Sequence, residues 1–124
     1  MRVLNKENQL NNKNINISNI DRVIQMIGLA TRARKTVFGT DAVTMEMAKG
    51  KVKMVFVSTE SSDNTKNKFI NKCEYYKAKL VIKLNCTELM KATGKDNLMV
   101  VGITDMGFVN NLNNLLKEDV KNES

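Results

Sequence analysis

The residues best suited to chemistry in this chain are a run of cations and a glycine-led helix start. Arg32, Arg34 and Lys35 lie in one short basic segment, and Gly39-Thr40-Asp41 follows a few residues later. A helix beginning at Gly39-Thr40 presents unpaired backbone N–H groups and a partial positive charge. Glycine lets a ligand approach the backbone closely, and guanidinium and ammonium groups nearby add Coulomb attraction, so the segment suits a phosphate. The plainer reading of the same residues is a basic loop leading into an ordinarily capped helix.

Little else in the chain offers reaction chemistry. There is no histidine, the commonest general base and metal ligand. Gly94-Lys95 is followed by Asp96, which repels a phosphate where a nucleotide-binding loop carries a Mg²⁺-binding hydroxyl. The acids Glu60, Asp63, Asp96 and Asp105 fall near predicted strand ends, where α/β proteins often place sites. Two of them, Asp63 and Asp105, also fall at predicted helix starts, where capping alone accounts for them. Cys73 and Cys86 are too few and too far apart for a zinc site, and both are expected to be buried thiols. No catalytic residue, metal or cofactor is expected.

The elements that position these residues follow from hydrophobic spacing. Ser18 with Asp21 resembles a capping box, and Ile20, Val23, Ile24 and Ile27 fall on one helical face, which predicts a helix to about Ala30. The segment TRARKTVF reads as a basic loop entering a short strand. A second helix opens at Gly39-Thr40 with Val43 and Met47 inward and Gly50 as its stop. The run VKMVFV at 52–57 is apolar and β-branched without alternation, as expected of a strand covered on both faces. A third helix from Ser62-Asp63 carries Phe69, Ile70, Cys73 and Tyr76, and leads into a strand LVIKL at 80–84. Asn85 and Glu88 cap a short fourth helix that stops at Gly94. LMVVGI at 98–103 is the next strand, and Thr104 is expected to cap a last helix bearing Phe108, Leu112, Leu115 and Leu116. This alternation predicts an α/β or α+β three-layer sandwich with about four strands, the first of them short.

With 124 residues, 42% hydrophobic and 27% charged, the chain reads as one globular domain with a core of its own. Residues 1–17 are Asn-rich and without period, and are expected to form a flexible tail; 18–117 form the domain; 118–124 form a frayed C-terminus. No apolar run reaches the roughly 20 residues that span a bilayer, and the N-terminus carries no apolar signal core, so a cytoplasmic protein with no membrane partner is expected. The charge is uneven. Residues 31–83 hold twelve Lys/Arg against five acids, a surplus equal to the +7 of the whole chain. Such a basic region within a balanced domain reads as a footprint for a polyanion, with nucleic acid or the ribosome first and an anionic membrane surface second.

Several ordered segments carry a resemblance: MIGLATRARKTVFGTDAV, KGKVKMVFVSTESSDNTKNKF, NKCEYYKAKLV, TELMKATGK and VVGITDMGF. Together they resemble the bacterial YlxQ-type members of the kink-turn-binding ribosomal-protein family typified by the L-seven-Ae and L-thirty-e proteins, over residues 18–117. The resemblance implies a mixed four-stranded sheet in an α/β/α sandwich, no catalysis, and recognition of kinked, structured RNA. The RNA face it implies comprises Arg32, Arg34 and Lys35, then Gly39, Thr40 and Asp41, then the loop before the last strand with Gly94, Lys95 and Asn97. Better-studied relatives resemble Gly-Thr-Asn-Glu-Val-Thr-Lys at the helix start. Here Asp41, Ala42 and Met45 replace the Asn, Glu and Lys, and Phe38 stands where a Lys precedes the glycine. The expected partner is structured RNA, ribosomal RNA included, with ribosome association and a monomeric state. A protein-interaction module of the same fold, or a stand-alone RNA-recruiting partner of an RNA-modifying enzyme, is the alternative.

Overall fold

A computed structural model describes residues 18–123, with side chains through residue 117; the expected tail at 1–17 lies outside the described residues. In chain order the elements are α1 Asn19–Arg32, β1 Thr36–Phe38, α2 Thr40–Ala48, β2 Met54–Val57, α3 Asp63–Tyr76, β3 Lys79–Val81, α4 Cys86–Thr93, β4 Val100–Ile103 and α5 Met106–Glu123. The four strands form one sheet in the order β1-β4-β2-β3. β4 runs antiparallel to both β1 and β2, whereas β2 and β3 are parallel. The mixed four-stranded sheet and the three layers are as the sequence led one to expect.

The layers follow from strand alternation. Met54 and Phe56 of β2 and Val101 and Ile103 of β4 join Val23, Ile27, Leu89, Val109 and Leu112 in one core, which places α1, α4 and α5 on that face. Val55, Val57 and Val100 turn the other way and pack with Val43, Met47, Phe69 and Cys73 of α2 and α3. Both faces of β2 and β4 are therefore dry, which is why these strands read as unbroken apolar runs rather than alternating ones.

Local capping fixes the helix starts. Ser18 Oγ accepts from the Asp21 N–H at 3.1 Å, and Ser62 Oγ from the Thr65 N–H at 3.2 Å. Asn85 and Glu88 form a reciprocal box, with 2.8 and 2.9 Å bonds. At α5 the cap is Asp105 rather than Thr104: its Oδ2 accepts from the Phe108 N–H at 3.1 Å, while the Thr104 N–H is spent on the Lys35 carbonyl at 2.9 Å. The third strand is Lys79–Val81, beginning one residue before LVIKL and ending three residues short of it; its pairing with β2 closes at Phe56 opposite Val81. The α5 backbone stays helical through Glu123, past the boundary placed at 117.

The strand directions create two ends. β1, β2 and β3 all run one way and β4 the other. At one end, the Gly39 N–H reaches the Val100 carbonyl at 2.9 Å and the Ser58 N–H the Met99 carbonyl at 2.8 Å. At the opposite end, the Thr104 N–H bonds Lys35 O, the Lys53 N–H bonds Ile103 O and the Lys79 N–H bonds Lys53 O, at 2.9, 2.9 and 3.0 Å.

Candidate functional site

Gly39 is the N-cap of α2 with φ 94° and ψ 155°, and no side chain caps this helix. A Cβ at position 39 would meet nothing within 4 Å, so the backbone angle, not crowding, requires glycine here. The first backbone bond of the helix joins Val43 N–H to Gly39 O at 3.0 Å. The N–H groups of Thr40, Asp41 and Ala42 precede it, the amides a helix leaves for an outside acceptor.

The loop between α4 and β4 comes alongside, because β4 is the neighbour of β1. Gly94 ends α4 at φ 77° and its N–H bonds Met90 O at 2.7 Å; Asn97 also adopts a left-handed backbone at φ 56°. Both positions turn the loop sharply, and Asn is the non-glycine residue that tolerates such an angle best. The two segments touch through Lys95, whose Nζ sits 5.5 Å above the Phe38 ring centroid, within cation–π range. Lys95, Asp96, Asn97 and Asp41 are exposed, and Gly39, Thr40 and Phe38 are half-buried.

The basic segment is divided from this cleft. Arg34 and Lys35 stand before β1 and Gly39 stands after it, so about four strand residues, roughly 13 Å of extended chain, separate Lys35 from Gly39. Arg32 lines a groove between α1 and α4 with Gln25, Gly28 and Lys91. Helices α1 and α4 approach closely there, since a Cβ on Gly28 would lie 3.2 Å from Ala92 O. The sequence places one anion site across Arg32–Lys35 and Gly39–Asp41; in the fold the start of α2 lies at the same end of the sheet as the 94–97 loop, which reaches it through Lys95 on Phe38, and Arg34 and Lys35 stand at the other end. Phe38 as a platform for Lys95, and Lys91 beside Arg32, are additions that sequence spacing did not reveal.

The acids considered as a cluster are scattered over separate tasks. Glu60 Oε1 accepts from the Cys86 N–H at the start of α4 at 3.1 Å, Asp63 lies in the first turn of α3, and Asp105 caps α5. Among the described residues no group of three or more His, Cys, Asp or Glu could hold a metal ion. Cys73 is buried, and burial pushes its thiol up to about 11; Cys86 is half-buried, with Sγ 3.6 Å from Leu98 O. Cys73 is therefore not an activated thiolate. No helix among the described residues is long and apolar enough to cross a membrane.

Comparison with known proteins bears on this geometry. The model of the ribosomal protein L7Ae/L30e/S12e/Gadd45 family matches residues 21–113. A Bacillus subtilis (strain 168) protein named RNA-binding protein YlxQ is 40% identical over 91 residues, covering 73% of this chain and 91% of its own. A protein of the same name from Enterococcus faecium is 32% identical over 103 residues, 83% of this chain and 99% of its own. Among solved structures, a protein of unknown function from Bacillus halodurans C matches with a TM-score of 0.74 at 31% identity, over 77% of this chain and 97% of its own. A Giardia lamblia 15.5kD RNA binding protein matches with a TM-score of 0.64 at 14% identity, over 87% and 90%; likeness at that identity is likeness of fold.

Proposed function

This chain belongs to the ribosomal protein L7Ae/L30e/S12e/Gadd45 family, and on that premise we propose that it binds structured RNA, of kink-turn or ribosomal type, without catalysing a reaction. The observation that carries the reading is the cleft where the uncapped start of α2 meets the loop of Gly94, Lys95 and Asn97. Backbone amides offered at a helix start position a phosphate, and a loop of turned, exposed polar residues beside it meets the bases of a distorted junction. The names of the Bacillus and Enterococcus relatives support the same reading. Gly39, Thr40, Asp41, Gly94, Lys95 and Asn97 form the cleft, and Arg32, Arg34 and Lys35 serve as basic contacts at its flank or beyond. We further take the protein to act as a monomer in the cytoplasm, in contact with ribosomal RNA.

The test is a fluorescence titration of a kink-turn RNA and of a straight duplex of equal length, with the unmodified chain and with Lys95→Glu combined with Asn97→Gly. Glycine keeps the left-handed angle at 97, so the variant loses polar contacts without backbone strain. The unmodified chain should bind the kinked RNA, and the variant at least tenfold more weakly with unchanged far-UV dichroism. Equal binding by both proteins overturns the cleft as the site. No binding of either RNA by the unmodified chain moves the protein-interaction alternative to first place, for which the exposed Met45 on α2 (59% exposed) gives an apolar contact.

A further inference from the structure

The cleft just described is not where the positive charge of the molecule lies. Around it stand Lys95 and the acids Asp41, Asp96 and Glu60. The opposite end of the sheet, where β1, β2 and β3 begin, gathers Arg34, Lys35, Lys49, Lys51, Lys53, Lys77 and Lys79, all exposed. The sheet itself sets them in a row: Lys35 O accepts from the Thr104 N–H, the Lys53 N–H donates to Ile103 O, and Lys53 O accepts from the Lys79 N–H. With strands about 4.8 Å apart, Lys35, Lys53 and Lys79 span roughly 14 Å across the four-strand order. Lys49, Lys51 and Lys77 come from the turns entering β2 and β3.

Ordinary charge balance does not use up this surplus. Three helices, α1, α2 and α3, end here with about half a negative charge each, while α5 begins here with about half a positive one. Glu46, Glu74 and Asp105 lie on or beside the same end, and Glu46 takes Lys49 in an ion pair of 3.3 Å. Seven cations still leave roughly three positive charges in excess. Two of the cations also hold unusual backbone angles: Arg34 at φ 62° and Lys77 at φ 60°, where a helix end commonly carries glycine. A long charged side chain kept at a strained turn points to use rather than to folding convenience.

We propose that this basic end is a second RNA-binding face, which grips the phosphate backbone of a separate duplex segment by charge, without reading its sequence. It rests on the RNA-binding reading of the cleft and extends it. The cleft selects a distorted junction, and the far end holds a neighbouring helix, so the protein bridges two RNA segments. A duplex backbone suits the face because seven exposed cations outnumber its two exposed large apolar side chains, Tyr75 and Met106, and phosphate contacts need neither stacking nor base access.

The experiment uses the full chain with two RNAs, a straight 20-base-pair duplex and a kink-turn of equal length, titrated over a salt series. The charge-reversed variant is Lys51→Glu, Lys53→Glu and Lys79→Glu, three exposed positions outside the cleft and its flank; a neutral version with Gln at the same three positions guards against loss of folding, with melting curves for both. Three lost phosphate contacts should flatten the log–log salt slope of straight-duplex binding by about 2 to 3. Straight-duplex affinity at about 0.15 M salt should fall at least tenfold. The kink-turn should stay bound to the cleft, raising the preference for kinked over straight RNA. A surface-held kink-turn saturated with unmodified protein should retain a labelled straight duplex, and the variants should not.

Unchanged straight-duplex affinity and slope in stable variants overturn the second face while leaving the cleft reading intact. Loss of kink-turn and duplex binding in equal proportion also overturns it, since the cations would then belong to one continuous site. If the unmodified chain binds neither RNA but binds vesicles containing phosphatidylserine, both readings fail and the basic end is a membrane-surface contact.

Discussion

Restoring the polar residues of the better-studied relatives to the α2 start gives the sharpest measure of what the cleft can recognise. The perturbation is Asp41→Asn, Ala42→Glu and Met45→Lys together. Its cost to folding is small by geometry. Asp41 is exposed and Met45 is 59% exposed, so the changes there bury no charge, and Ala42, which takes the new carboxylate, is half-buried rather than buried. Removing the first-turn carboxylate at 41 costs about 0.3–1 kcal/mol, and placing one at 42 returns a similar amount. The new carboxylate is not drawn into a reciprocal cap, because the Gly39 N–H it would seek already bonds Val100 O at 2.9 Å. It is left to face a ligand. A good polar pair to a base edge is worth about 1–3 kcal/mol of discrimination. One or two regained pairs therefore raise the preference for kinked over straight RNA by roughly tenfold or more, since about 1.4 kcal/mol is one decade. Anisotropy titrations of both RNAs at one fixed salt concentration, with a melting curve for each protein, read the effect. A triple variant that melts as the unmodified chain does and shows the same ratio refutes the argument that α2 reads bases.

Other expectations concern the frame that holds the cleft. Ile27→Ala, at a side chain fully buried between α1 and the sheet, should cost about 2–5 kcal/mol in a urea melt; a loss under 1 kcal/mol would mean that α1 is loosely seated. Asn85→Ala removes one half of the α4 capping box and should lower stability by about 0.5–2 kcal/mol; differential scanning calorimetry that finds no drop in Tm contradicts the role given to the box. Cys73, with its thiol pushed up from 9.0 to about 11 by burial, stays protonated in the fold where the unfolded chain ionises. Its contribution to stability is complete below pH 9 and is lost as pH rises toward 11. Denaturant melts of the unmodified chain and Cys73→Ala across that range should converge, and parallel curves speak against it. At pH 8 a thiol reagent should label Cys86 first and Cys73 only on unfolding.

The two-sided burial of β2 and β4 was legible in the residues themselves. A strand covered on both faces has no polar side to alternate with, so 52–57 and 98–103 read as continuous apolar runs. Helix starts were legible for a similar local reason: a cap is a contact across three residues, as in Ser18 with Asp21 and Asn85 with Glu88. Where two candidates stood side by side, local reasoning failed. Thr104 and Asp105 are equally good caps on paper, and the choice fell to Asp105 because the sheet pairing runs on to Thr104, whose N–H bonds Lys35 O, so the helix begins one residue later and Asp105 is the residue before it.

What the sequence determined by itself is everything carried by short-range periodicity and composition: the α/β alternation, the two-face core, the absence of a histidine, and a basic surplus between residues 31 and 83. What the tertiary structure decided is which of those residues share a place. Arg34, Lys35 and Gly39 are close in the chain, yet β1 carries them to opposite ends of the sheet. Gly39 and Lys95 are far apart in the chain, yet the β1–β4 pairing sets their segments side by side. The lysines of three separate turns become one row because β1, β2 and β3 start at the same end. Strand order and direction are fixed by non-local backbone hydrogen bonds, and no window of sequence encodes which distant strand will supply the partner.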